Sequence, residues 1–229
     1  VREGQAGMPR TRPAVVTALR SRSAPVVTYA LIALCVLVYG AQQLPGTVGA
    51  LVNIYGTYRP EYTAELPWTM VTALFLHASI LHIGLNMLSL YLFGSILERS
   101  LGRMRYLALY LVSGFGGSVA VLLLAPTIGV VGASGAIFGL LGAFFVIQRG
   151  LGGNNASLLV LIGINLVIGF VPGTNIAWQA HVGGLLVGAA IAFVYVRTRR
   201  ADQRSQQILG VVAIAAGLVA LTVALVMLR

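Results

Sequence analysis

The sequence predicts an all-α fold, a polytopic helical bundle that crosses a membrane seven times. Three observations carry that prediction. The chain is 58% hydrophobic and only 9% charged, against about 25% charged residues in a soluble domain, so most of its surface faces lipid. Apolar runs of roughly bilayer-spanning length recur at 26–40, 80–97, 106–125, 134–148, 158–171, 178–196 and 208–228. Fifteen arginines, with no lysine, are placed between those runs in a pattern that sets an orientation.

The net charge of +10 would suit nucleic acid, but the placement of the arginines argues against it. Arg2, Arg10, Arg12, Arg20 and Arg22 precede the first run, and Arg99, Arg103 and Arg105 follow the second. Arg149 follows the fourth, and Arg197, Arg199, Arg200 and Arg204 follow the sixth, leaving Arg59 and Arg229 alone on the other side. The positive-inside rule then puts the N-terminus in the cytoplasm and the C-terminus outside, with a bacterial plasma membrane as the expected location. The bilayer, not nucleic acid, is the expected partner of this surface.

Residues 1–24 are polar, Arg-rich and Pro-interrupted, and read as a flexible cytoplasmic lead-in. The basic stretch is too long for a signal peptide and no cleavage site follows the first apolar run. The chain opens on Val1 instead of methionine, as a fragment would. Cys35, mid-span and the single cysteine, reads as a buried small hydrophobe, excluding an internal disulfide or a cysteine-ligated metal. Residues 41–79 are too long and too apolar for an ordinary connection. Pro45, Pro60 and Pro67 punctuate them, and Tyr55, Tyr58, Tyr62 and Trp68 give them an interfacial character. A structured outer loop with short helices is expected there. Residues 25–197 hold the first six apolar runs, and 198–229 read as a cytoplasmic linker followed by a uniformly apolar C-terminal helix.

Counting back from the cytoplasmic arginines at about 1.5 Å per residue gives depth. Ser134 lies roughly 22 Å above Arg149, His181 about 24 Å above Arg197, and Asn86 and His82 about 20 and 26 Å above Arg99. In a hydrocarbon core of about 30 Å, four polar groups from three helices occupy one slab near the outer side. Such groups are costly in lipid and face the bundle interior or a water-filled cavity. Gly135 and Gly139 make one GxxxG step and Gly184 and Gly188 another, with His181 three residues before Gly184 on the same face. Pressed together, those stripes bring the Ser134 hydroxyl towards the His181 imidazole.

A serine hydroxyl needs a base, and a neutral imidazole at about 3 Å is the usual one. No acid in the sequence points at His181, so a Ser134–His181 dyad is expected, Ser134 as nucleophile and His181 as base. His82 and Asn86 share a helix face and, with the Ser134 backbone N–H, supply donors for the oxyanion of an acyl-transfer intermediate. Taken singly, each residue has a blander reading: Ser134 packs among glycines, His181 is a hydrogen-bonded interior histidine, Asn86 bonds a neighbouring helix. Their coincidence favours the chemistry. His77, at the water boundary before the second span, is expected to order the loop. No metal or other cofactor is called for.

These residues carry a resemblance. His82-Ile83-Gly84-Leu85-Asn86, Gly132-Ala133-Ser134-Gly135 and Ala180-His181-Val182-Gly183-Gly184 through Gly188, in that order, resemble the rhomboid family of intramembrane serine proteases. His77 and Glu98 also match, and the likeness spans roughly residues 25–197. It implies a rhomboid-like six-helix core plus one C-terminal helix, with Ser134 as nucleophile, His181 as base, and His82, Asn86 and the Ser134 amide as the oxyanion site. It also implies supporting roles for Gly132, Gly135, Gly184, Gly188 and His77. Phe138 stands where the family often has a tyrosine that stacks on the histidine. Trp68 is followed by Thr69 where the family's outer loop often has Trp-Arg.

The expected function is therefore a serine endopeptidase that cleaves transmembrane segments of membrane proteins near the outer face. A metal-dependent or aspartyl intramembrane protease is excluded, because there is no H-E-x-x-H and no aspartate in any span. A non-catalytic rhomboid-like protein that binds membrane clients would typically lack the serine or histidine. A small transporter would place its polar residues near the midplane on broken helices.

Overall fold

The computed structural model describes residues 24–150, 152–169 and 176–228. Over those residues the chain is α1 Val26–Gln42, α2 Thr47–Gly56, α3 Thr69–Thr72, α4 Ile80–Leu101, α5 Arg103–Leu124, α6 Ser134–Gly150, α7 Ala156–Ile168, α8 Trp178–Arg197 and α9 Arg204–Met227. Each of the seven apolar runs lands on a helix. α4, α5, α8 and α9, the last with its leading 3₁₀ turn, are long and apolar enough to cross a membrane. α1 and α6 have 17 residues and α7 has 13, roughly 20 to 25 Å. The chain is an all-α, multi-pass membrane protein. All but the last residue of the expected lead-in at 1–24, and the turn at 172–175, lie outside the described residues.

One boundary and one helix interior differ from the apolar pattern for local reasons. α9 starts at Arg204, before its apolar run, because Arg204-Ser205-Gln206-Gln207 is polar but helix-compatible. Gln207 is buried there, its Nε2 donating to the Thr198 carbonyl at 3.0 Å and hydroxyl at 3.2 Å. α4 contains a π turn at Leu90–Gly94, a widening that hydrophobic periodicity does not report.

The glycine stripes decide which helices form the centre. A Cβ on Gly184 or Gly188 would run into the carbonyl oxygens of Gly135 and Gly139, and one on Gly142 into that of Leu185. α6 and α8 therefore meet backbone to backbone, at a separation only glycine permits. On the other side of α8, a Cβ on Gly183 would come within 2.6 Å of the Gly116 carbonyl of α5. Leu109, Tyr110, Ala136, Leu140, Ala143 and Ile191 fill the core between them. Burial ranks the layers: 56% of the most apolar stretch of α5 is buried, against 6% for α9. α5 is the central post and α9 a peripheral, lipid-facing helix.

At the arginine-rich end, Glu98 of α4 organises α1. The first turn of a helix has free N–H groups that need acceptors. Pro25 precedes α1 and offers no side-chain cap, and Glu98 supplies one from across the bundle. Its carboxylate accepts from Val27 N at 2.9 Å, Thr28 N at 2.7 Å and Thr28 Oγ1 at 2.8 Å. The negative charge also meets the positive end of the α1 dipole.

At the opposite end, residues 41–79 fold as α2, α3 and 3₁₀ turns at Pro60–Tyr62 and Ala73–Phe75. Tyr58, Met70 and Ala73 bury themselves against Val119, Val121 and Ala125 at the top of α5, and Ser118 Oγ donates to the Met70 carbonyl at 2.7 Å. Thr69 is buried, its hydroxyl donating to the Leu66 carbonyl at 2.6 Å, and Trp68 Nε1 donates to the Tyr55 carbonyl at 3.1 Å. The loop is anchored by these contacts without an arginine at position 69.

Candidate active site

Ser134 is the first residue of α6, so its amide and that of Gly135 have no acceptor inside the helix and lie at the positive end of the helix dipole. The strand of loop before it is fixed by the outer loop. Tyr58 and Val130 form an antiparallel bridge, with Val130 N donating to the Tyr58 carbonyl at 2.8 Å and Tyr58 N to the Val130 carbonyl at 3.2 Å. Two residues on, Gly132 N donates to the Ala73 carbonyl at 2.8 Å. Gly132 has φ +123°, in the region that favours glycine. The motif spacing gave no sign of these pins.

His181, buried near the start of α8, brings Nε2 to 3.0 Å from Ser134 Oγ. For the hydroxyl to donate, the neutral imidazole carries its proton on Nδ1. Nδ1 has no hydrogen-bond partner among the described residues, so no third group orients the ring through that atom. Phe138, one turn after Ser134, does so by stacking: the ring centroids are 4.1 Å apart and the planes 9° from parallel.

His82 and Asn86 approach from α4. Ser79 caps that helix, its Oγ accepting from His82 N at 3.2 Å, which places His82 on the third helical position. His82 Nδ1 accepts from Ala78 N at 3.4 Å, so in the neutral ring Nε2 carries the hydrogen and is a donor. A Cβ built on Gly132 would lie 2.7 Å from His82 Nε2 and 3.7 Å from Asn86 Nδ2. Both donors thus converge on the open face of Gly132, two residues before Ser134. Asn86 is buried, and its Nδ2 makes no hydrogen bond among the described residues.

His77, just before α4, is buried in the protein, at 1% exposure. Gln42 Oε1, at the end of α1, accepts from its backbone N at 2.9 Å, and its ring meets that of His82 edge-on at 5.2 Å. The ring nitrogens make no hydrogen bond among the described residues. Burial, and then the neighbouring His82, hold its pKa down to about 4, against a smaller upward contribution from the Phe75 backbone, which lies outside good hydrogen-bonding geometry. Among the described residues no three His, Cys, Asp or Glu side chains converge as a metal site requires.

The description "Rhomboid domain" matches residues 64–198 of this 229-residue chain, a range that holds Ser134, His181, His82 and Asn86. RHOMBOID-like protein 2 of Arabidopsis thaliana is 38% identical over 183 residues, covering 70% of this chain and 57% of that protein. The rhomboid protease GluP of Bacillus subtilis is 35% identical over 175 residues, 72% of this chain and 34% of that protein. RHOMBOID-like protein 6, mitochondrial, of Arabidopsis thaliana is 41% identical over 135 residues, 56% of this chain and 43% of that protein. The chain therefore spans from about a third to somewhat over half the length of these relatives. With more than half of its residues in a matching domain, and that domain holding the glycine-packed pair α6 and α8, the chain belongs to the rhomboid family of membrane proteins.

Proposed function

We propose that this protein is an intramembrane serine endopeptidase, with Ser134 as nucleophile and His181 as general base. The observation that carries the reading is the 3.0 Å approach of Ser134 Oγ to His181 Nε2, from two helices clamped by glycine. A hydroxyl hydrogen-bonded to an unprotonated imidazole nitrogen is poised to lose its proton as it attacks a carbonyl.

Oγ attacks the scissile carbonyl carbon while Nε2 takes the hydroxyl proton. The tetrahedral oxyanion is met by the Ser134 amide, His82 Nε2–H and Asn86 Nδ2–H, the two side-chain donors lying against Gly132. Donors fixed in place before the charge develops stabilise it without reorganisation. The imidazolium returns its proton to the leaving amine, and the acyl-enzyme ester is then hydrolysed by a water activated at the same nitrogen.

α6 spans roughly 25 Å, less than the hydrocarbon core of about 30 Å. With Arg149 at its cytoplasmic end, the Ser134 end stops inside the membrane, towards the outer side. The substrate is then a transmembrane segment of another membrane protein. Its helix must unwind there, because helical carbonyls are engaged and sheltered.

Incubation of the purified full chain with a single-span model substrate tests the proposal. Wild type cleaves, while Ser134→Ala and His181→Ala do not, and a fluorophosphonate probe labels wild type but not Ser134→Ala. Cleavage by either alanine variant at the wild-type rate overturns the assignment of these two residues, and a wild type that neither cleaves nor takes the probe leaves a non-catalytic client-binding member of the family.

A further inference from the structure

At the end of the bundle away from Ser134, a groove of about 660 Å³ opens between the first turns of α5 and α9 and the last turn of α8. Its walls are apolar where Ala108, Ile208, Val211 and Val212 line it. Its polar side is formed by the exposed arginines Arg103, Arg105 and Arg204. Among the described residues no carboxylate lines it. The neighbouring acids are committed elsewhere: Glu98 to the first turn of α1 and Asp202 to Arg200 at 3.2 Å. The Tyr195 hydroxyl donates to the Arg105 carbonyl at 3.0 Å and is equally unavailable.

Three guanidinium groups that cannot shed their protons thus share one groove with no counter-charge among the described residues, and they call for an anion. The floor calls for hydrocarbon. A single occupant meets both demands if it is amphiphilic, and the surrounding bilayer supplies such molecules. Basic pockets between transmembrane helices bind anionic headgroups for this reason, and the guanidinium fork matches a phosphate oxygen pair.

We propose that this groove is a binding site for an anionic phospholipid of the adjacent leaflet. Its phosphate engages Arg103, Arg105 and Arg204, and an acyl chain lies along Ala108, Val211 and Val212. The site is independent of the chemistry at Ser134.

The test uses the purified full chain, delipidated in neutral detergent, with native mass spectrometry to count bound lipid. Phosphatidylglycerol and phosphatidylcholine of identical acyl chains are titrated in parallel. We expect one phosphatidylglycerol to be retained with about tenfold preference, and millimolar inorganic phosphate to leave it bound. The triple variant Arg103→Gln, Arg105→Gln, Arg204→Gln should lose the preference. Arg197→Gln with Arg199→Gln, outside the groove lining, should keep it. Ala108→Phe, which fills the floor, should weaken both lipids. Equal retention of the two lipids by wild type overturns the proposal, as does displacement by inorganic phosphate alone. Both of those readings use the unaltered protein, so misfolding of a variant cannot protect the proposal. A triple variant that keeps the preference also overturns it.

Discussion

Phe138 and His181 lie face to face, centroids 4.1 Å apart and planes 9° from parallel, while His181 Nδ1 has no hydrogen-bond partner among the described residues. In a Ser-His-Asp triad the carboxylate on that nitrogen fixes tautomer and orientation. Here a flat apolar surface holds the ring plane, and its contact with the inner side of α6 keeps Nε2 turned to Ser134.

Replacing the stack should therefore act on turnover more than on substrate binding. Phe138→Tyr keeps the ring and should stay within about twofold of wild type, because a flat aromatic surface is what the contact uses. Phe138→Leu keeps bulk without the flat face and should lower kcat roughly tenfold with KM little changed, as expected for a misaligned base. Steady-state kinetics on a single-span substrate separate the two parameters. Equal loss in both variants would assign the effect to the pocket volume.

Asn86 gives a sharper contrast between chemistry and packing. A buried amide normally finds a partner, yet Nδ2 has none among the described residues, so its removal breaks no hydrogen bond to them. Asn86→Ala should reduce kcat by about 10- to 1000-fold, the range for one oxyanion donor. The melting temperature should barely fall. A large loss of stability with proportionate loss of activity would make Asn86 a packing residue.

The parts of this site that follow one helix were legible in the sequence. The His82–Asn86 spacing and the glycine steps depend on helical periodicity, and periodicity survives in a linear string. What was not legible depends on two distant segments meeting. The Tyr58–Val130 bridge and the Gly132–Ala73 bond fix the loop before the serine, and both use backbone atoms, which carry no residue signature. Glu98 was visible as an acid at a helix end, but its use as the cap of α1, 70 residues away in sequence, required the helices to be placed. The burial of the His77 ring was likewise not legible, because it depends on how the outer loop packs.

His77 makes a pH prediction with a definite sign. Its pKa in the folded protein is about 4, below the ordinary 6.5, mainly through burial and next through His82. The folded state therefore binds fewer protons than the unfolded one. The stability that this difference provides is present above about pH 6.5 and is lost as pH falls towards 4. Because the ring nitrogens make no hydrogen bond among the described residues, His77→Leu removes the titration and, besides it, the edge contact with His82. Tryptophan-fluorescence melts of wild type should drop between pH 7 and pH 5, and those of His77→Leu should drop less. Parallel curves would place the titration on other groups.

Glu98 tests whether α1 is held from its first turn. Three donors meet its carboxylate, two of them the N–H groups of Val27 and Thr28. The remaining first-turn amides are satisfied locally, Val26 N by Ala24 O and Tyr29 N by Pro25 O. Glu98→Gln keeps shape but replaces one acceptor oxygen with an NH₂ and removes the charge that complements the helix dipole. A lost hydrogen bond to a buried charged group costs about 1.5–3 kcal/mol, and Glu98→Ala leaves all three donors unmet and should cost more. Cys35, the single cysteine, is fully buried on α1, so its labelling by a thiol-reactive dye during heating reads the release of that helix. The midpoint should fall in the order wild type, Glu98→Gln, Glu98→Ala, while fluorophosphonate labelling of Ser134 at low temperature persists in both variants. An unchanged midpoint for Glu98→Ala would mean that α1 is held by its apolar contacts with α4 and α5 and that water serves its first turn equally well.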